Sequence, residues 1–253
     1  MGELALKSPV TNSGAKYIKS NPVSFRPNKM DYKIYDRETK ETTNVTTIKG
    51  IIVGLGLKLK KDEKSPNVKA AKWLESPVFG NEIISNRIGI PVFSKTRKAT
   101  PEGPVYTKDK VRDIVFDDIK KLDTKDQLSG MKTLYIVYIL DPDNLDAPVK
   151  EIEFSTTARV QIQKEGLIPV DITNYITEIG VTSEPVPVRD SEFYMPTFTK
   201  LGKWDSSILD KVKEQLDFID AIINNKDIAT LALNEPQQIT IDDVQDVFGN
   251  PPF

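Results

Sequence analysis

Apolar and polar positions alternate through much of the chain. From Asp31 the segment DYKIYD alternates, ETKETTN supplies turn chemistry, and VTTIKGIIVGLGLKL is apolar and β-branched with glycines at 50, 54 and 56. Such spacing is that of half-buried strands, so the pattern predicts a hairpin whose long second strand bends at those glycines. Glycine inside a strand marks a bulge, a barrel corner or a close backbone approach, which favours a coiled small barrel over a flat sheet. IGIPVF predicts a short apolar strand and leads into SKTRKATPEGPVY, a basic, Pro/Gly-punctuated loop over residues 94–106. TLYIVYIL at residues 133–140 is the strongest strand, closed by DPDN and followed by its partner VKEIEF. Residues 167–182 carry Ile and Val at strand-like intervals, TSEPVPVRDSE makes a turn, and FYMPTFTKL returns as a last strand.

Helical spacing occurs in two places. In KDKVRDIVFDDIKKL, residues 108–122, Val111, Ile114, Val115 and Ile119 predict an amphipathic helix. In DSSILDKVKEQLDFIDAIINN, Asp205 and Ser206 are cap candidates and Ile208, Val212, Leu216, Ile219 and Ile223 recur every three or four residues. STTARVQIQKEG is open: a short helix from Ser155 or Thr156 to Gly166, or an alternating strand. The expected organisation is a basic, partly ordered arm over residues 1–30, an OB-like nucleic-acid-binding domain over 31–204, an amphipathic helix over 205–226 and a flexible acidic tail over 227–253. The fold class is mainly β with a few helices, an α+β protein built on an OB-like small barrel with long loops.

Composition narrows the chemistry. The chain has 253 residues, 38% of them hydrophobic, enough for a substantial core. No run approaches the roughly eighteen consecutive apolar residues of a membrane helix, and the N-terminus lacks a basic-then-apolar leader, so a cytoplasmic location is expected. There is no cysteine and no histidine, which excludes disulfides, zinc sites of the usual kinds, thiol nucleophiles and histidine acid–base catalysis. Phosphate-cradling GxxxxGK[ST], GxGxxG and nucleophile-elbow GxSxG patterns are absent as well. The reading is therefore a non-enzyme without cofactor or metal.

The net charge of −2 hides a segregation: after Lys226 there is no basic residue, while Asp227, Glu235, Asp242, Asp243 and Asp246 are all acidic. Residues 1–226 therefore carry +3, a mildly basic body with an acidic appendage. Within that body, basic stretches interleave with aromatics: Lys58, Lys60 and Lys61 with Trp73 and Phe79, then Arg87, Phe93, Lys95, Arg97, Lys98 and Tyr106. Binding single strands without sequence preference needs cations that track phosphates and flat rings on which bases stack. For any one of these residues the competing reading is an ordinary solvated lysine or a core ring. Tyr135 and Tyr138 fall on opposite faces of their strand because their separation is odd, so one can face a ligand and the other the core. Tyr135 is taken as the ligand-facing one.

The tip IDDVQDVFGNPPF sets Asp242, Asp243 and Asp246 ahead of Pro251, Pro252 and Phe253. A terminal ring and carboxylate suit an apolar pocket ringed by Lys or Arg. The tip resembles the C-terminal peptide of bacterial and phage single-stranded DNA-binding proteins. That resemblance implies docking on replication and recombination enzymes, with the acids competing weakly with DNA; the alternative is an ordinary frayed terminus. The order GIIVG, Trp73, IPVF, a long loop and helix, TLYIVYIL, FSTTARV, NYITEIG and FYMPTFTKLG, over residues 45–202, is also similar to a family of phage single-stranded DNA-binding proteins. Some of those relatives carry a cysteine cluster that suits zinc; here residues 94–110 have none and are expected to hold together without metal.

These features point to non-sequence-specific single-stranded DNA binding and protection in phage replication or recombination. DNA and tail-recruited proteins are the expected partners, no membrane is involved, and a homo-oligomer is compatible. The alternative from another class is a phage structural or assembly protein with no nucleic-acid role. A magnesium nuclease using Asp113, Asp117, Asp118 and Asp141 is a third reading, against which those acids are more simply a solvated face.

Overall fold

The computed structural model describes residues 17–63, 70–100, 103–188 and 191–227. Most of the expected N-terminal arm and the tail beyond Asp227 lie outside the described residues. In chain order, β1 (Ser20–Arg26), β2 (Asp31–Tyr35) and β3 (Thr42–Val45) precede the long β4 (Ile48–Glu63) and β5 (Ala70–Glu75). A single-turn α1 (Asn81–Ser85) leads to β6 (Ile90–Thr100) and β7 (Gly103–Ile114), then β8 (Lys132–Leu140), β9 (Val149–Phe154) and α2 (Thr156–Lys164). β10 (Tyr175–Val181), β11 (Val186–Val188), β12 (Ser191–Phe193) and β13 (Pro196–Lys203) end at α3 (Leu209–Ile223).

The protein is a mainly β, α+β structure built on one large mixed sheet in the order β3-β2-β1-β9-β8-β4-β5-β6-β7, with β11 and β12 forming a separate hairpin. β4 organises it. One edge pairs with β8 from Ile51 to Lys60; the other edge is shared, β10 taking Ile48–Ile51 and β5 taking Lys60–Glu63. A register shift between Ile52 and Gly54 marks the bulge where the strand bends, at the glycines the sequence singled out. Expected closure into a small barrel is not found: among the described strands no pairing joins β3, β7 and β13, and the sheet branches where the two halves of β4 recruit different neighbours.

Three further expectations are corrected. Residues 108–122 are not a helix but the end of β7 followed by a 3-10 turn at Phe116–Lys121. The helical spacing arises because Val111 sits at a bulge opposite Val92 and Phe93, and the 3-10 turn then brings Phe116 and Ile119 back to the same core as Ile114. The long loop at residues 94–106 is instead a β6–β7 hairpin in register out to Thr100 and Gly103. Within the stretch expected as an arm, β1 pairs in parallel with β9 and belongs to the sheet.

Each face of the sheet has its own cover. α2 packs Ala158 and Ile162 on one face, against Ile52, Val137, Ile139, Ile152 and Phe154. Ser155 caps it, its Oγ accepting from the Ala158 N–H, and Gly166 at φ +59° follows it. α3 covers the opposite face, setting Val212, Ile219 and Ile223 on Ile51, Ile136, Tyr138 and Leu140. Each fully buried aliphatic side chain of this kind contributes about 1.5–3 kcal/mol. Gly54 lets the helix come close to β4, and Gly56 does the same for the segment before α1: a Cβ on Gly56 would lie 2.4 Å from Val78 Cγ1. The last residue of the α3 cap, Asn224, accepts from the Glu82 N–H at 3.1 Å and so ties the helix end to α1.

Candidate nucleic-acid interface

Past Gly56, α3 no longer covers its face of β4, and the side chains there turn polar. Alternation puts Lys58 and Lys60 on the α3 face, and cross-strand register extends that face outward. Lys60 stands opposite Glu75, Asp62 opposite Trp73, and Trp73 opposite Lys95. The next rungs set Phe93 beside Lys110, Lys95 beside Lys108, and Arg97 beside Tyr106. Lys58, Lys60, Trp73, Phe93, Lys95, Arg97 and Tyr106, scattered over five tens of residues in the sequence, thus share one face of β4–β7.

The remaining expected residues do not join them. Lys61 and Lys98 alternate to the α2 face, and the Lys61 ammonium is held by the carbonyls of Gln127 at 2.8 Å and Ser129 at 2.6 Å. Phe79 is fully buried and bridges to Leu57 in the core, so it offers no ring to a base. Tyr135 pairs with Leu57 on the α2 face and packs between two core clusters, whereas Tyr138 lies under α3; neither tyrosine faces the β4–β7 patch. Arg87 follows α1 at φ +52° and pairs with Asp117 at 3.3 Å and Asp118 at 3.5 Å, away from the patch. Phe93 is on the right face but only 1% exposed, with the Lys108 ammonium 4.5 Å above its ring. That leaves Trp73 and Tyr106, both half-buried, as the rings that a base can reach.

Sequence reasoning missed two sets of residues on this face. Lys108 and Lys110 were hidden by the helical reading of 108–122, although TKDK alternates and carried the strand signal. The acids Glu75, Glu151 and Glu153 were passed over because no local pattern marks them; β9 brings the last two across by pairing with β8. Lys58 lies 2.8 Å from Glu153 and 4.0 Å from Glu75, and Lys95 also pairs with Glu75. Trp73 donates its indole N–H to Glu75 at 2.9 Å.

Electrostatics follow from this packing. Burial pushes the Glu75 carboxyl up, but Lys58 and Lys95 outweigh it and hold the group down to about 2. Glu153, also opposed by burial, is lowered by Lys58 and Lys60. Burial works against the charge on Lys58 too, yet Glu153, Glu75 and Glu151 raise it well above its ordinary value. Glu151 goes the other way: burial, with Glu153 beside it, raises it against the pull of Lys58 and of the Ser20 hydroxyl, which donates at 3.0 Å.

Among the described residues no group of three or more carboxylates is placed to hold a metal ion. The acids considered for a nuclease sit in ion pairs instead, Asp113 with Lys110 at 3.0 Å and Asp141 with Lys150 at 2.9 Å. No helix among them is long and apolar enough to cross a membrane. Asp242, Asp243, Asp246, Pro251, Pro252 and Phe253 lie outside the described residues. Comparison with known protein families, with curated proteins and with solved structures finds no match to this chain.

Proposed function

We propose that the protein binds single-stranded DNA without sequence preference and without catalysis, as an accessory of phage replication or recombination in the host cytoplasm. The observation that carries this reading is the cross-strand register that gathers Lys60, Trp73, Lys95, Arg97, Tyr106, Lys108 and Lys110 on one face of β4–β7. Cations at strand spacing beside reachable rings are what a flexible polyanion with stackable bases requires. Antiparallel strands that carry the ligand on a curved face are also how OB-type proteins work, and that kinship remains part of the proposal. The acidic tail ending in Phe253 is proposed as the docking peptide for partner proteins.

The test is anisotropy of a labelled oligo-dT with the whole chain and with a chain ended at Lys226, across a salt series. Both should bind, and added salt should weaken both; no binding at low salt removes the proposal. A second reading, a structural or assembly protein, is favoured by β3 and β7, which end the sheet among the described strands and offer edges to further copies. Large particles in sedimentation that ignore oligo-dT would select it.

A further inference from the structure

Glu75 occupies the centre of the basic and aromatic patch. On its strand it stands between Lys60 of β4 and Phe93 of β6, and its side chain is only 14% exposed. One carboxylate serves three neighbours: the ammonium of Lys95, the ammonium of Lys58 at 4.0 Å and the indole N–H of Trp73 at 2.9 Å. Lys58 has a closer acid in Glu153 at 2.8 Å, so it keeps a partner whatever Glu75 does. Lys95 and the edge of Trp73 are the groups that Glu75 ties up, and they are side by side in register. A carboxylate between ammonium groups makes the same charge-assisted contacts that a phosphate oxygen makes.

We infer that Glu75 is a built-in competitor for the phosphates of a bound strand: in the free protein its carboxylate holds Lys95, and a phosphate must take over that ammonium for the strand to seat on Trp73. The inference rests on the single-stranded DNA reading and states how that site limits its own affinity. Lys95 stays fixed and pre-aimed in the free protein, at the cost of one negative charge in the path of the polyanion. Because Lys58 and Lys95 hold the carboxyl down to about 2 against its burial, the competitor stays charged across all working pH.

The experiment is oligo-dT anisotropy with wild type, Glu75→Gln, Lys95→Gln and the double variant. Glutamine keeps an oxygen for the Trp73 N–H and removes the charge, so Glu75→Gln should bind about five-fold more tightly at low salt. Its salt dependence should steepen by about one released ion. With Lys95→Gln in place, the gain from Glu75→Gln should shrink to less than about two-fold, since the ammonium being competed for is gone. Unchanged or weaker binding by Glu75→Gln overturns the inference, and so does a gain that persists undiminished without Lys95, which would be a general charge effect. Wild type that does not bind at all defeats the functional reading instead. If thermal melts show that the glutamine variant does not fold, Glu75→Asp replaces it: one methylene shorter, it withdraws the carboxylate from Lys95 and should tighten binding about two-fold. No tightening there also overturns the inference.

Discussion

Gly54 of β4 and Ile219 of α3 meet with no room for a side chain between them: a Cβ on Gly54 would stand 2.5 Å from Ile219 Cγ2. Ile219 is fully buried, so its methyl has nowhere to retreat, and Gly54→Ala must shift the helix or the strand. Overpacking of this kind costs about 1–3 kcal/mol. Thermal melts should show Tm falling by several degrees, at about 2–4 °C per kcal/mol for a chain of this size. With Ile219→Ala added, the combined loss should be smaller than the sum of the two single losses, because the truncated side chain makes the space. Additive losses would show that the contact is not what makes glycine necessary.

Glu75 and Glu151 share a face and titrate in opposite directions, which separates their effects on stability. Glu75 is depressed from an ordinary 4.5 to about 2, so its contribution is present above about 4.5 and is lost as pH falls toward 2. That contribution is on the order of 3 kcal/mol. Glu151 is raised, so the stability tied to its protonated form is present below its ordinary value and is lost as pH rises through the raised one. Tm measured by circular dichroism from pH 7 to pH 3 should therefore fall less steeply in Glu75→Gln than in wild type. Glu151→Gln should raise Tm at pH 7 and converge with wild type in acid. Parallel curves for all three proteins would contradict this assignment.

Much of the fold was legible in the sequence where one pattern held over a whole element. The β-branched apolar run of β4 with its glycines, the apolar run of β8 and the spacing of Val212, Ile219 and Ile223 in α3 needed no tertiary information, whereas the stretch from Ser155 to Gly166 reads equally as helix or strand and the fold makes it α2. The reading failed at β7, where a bulge at Val111 and a 3-10 turn imitate helical spacing. It failed again for barrel closure, since a glycine reports a bend in β4 but not which strands the bent halves will recruit. Of the candidate site, the types of residue were legible and their sidedness was not: Lys60 and Lys61 are neighbours in sequence and point to opposite faces. Glu153 reaches Lys58 only through the β8–β9 pairing, a relation that no local signal encodes.

Trp73 and Phe79 separate binding from stability. Stacking of a base on an aromatic ring is worth about 1–3 kcal/mol, so Trp73→Ala should weaken oligo-dT binding by about five-fold or more. Trp73→Phe should retain most of the affinity, since the ring face remains and the N–H bond to Glu75 is what is lost. Phe79→Ala removes a fully buried ring and should cost about 3–5 kcal/mol in denaturant melts, while leaving the affinity of the folded fraction unchanged. Equal loss of binding in both alanine variants would place the strand elsewhere on the molecule.

The two faces of the β6–β7 hairpin give the sharpest test of where a strand lies. Lys108 and Lys110 stand on the α3 face beside Lys95 and Phe93, whereas Lys98 pairs with Ala70 and Val105 on the other side of the same strands. All three lysines are within one hairpin, so replacing any of them by glutamine changes the net charge equally and the long-range field almost equally. A strand held on the α3 face loses a phosphate contact only with Lys108→Gln or Lys110→Gln, and each should lower the salt slope of oligo-dT binding by about one. Lys98→Gln should leave the slope as it is and weaken binding by less than about two-fold, the residue of screened attraction at a distance. If Lys98→Gln lowers the slope as much as the other two, the strand does not discriminate between the faces, and the register that gathers the patch has no bearing on binding.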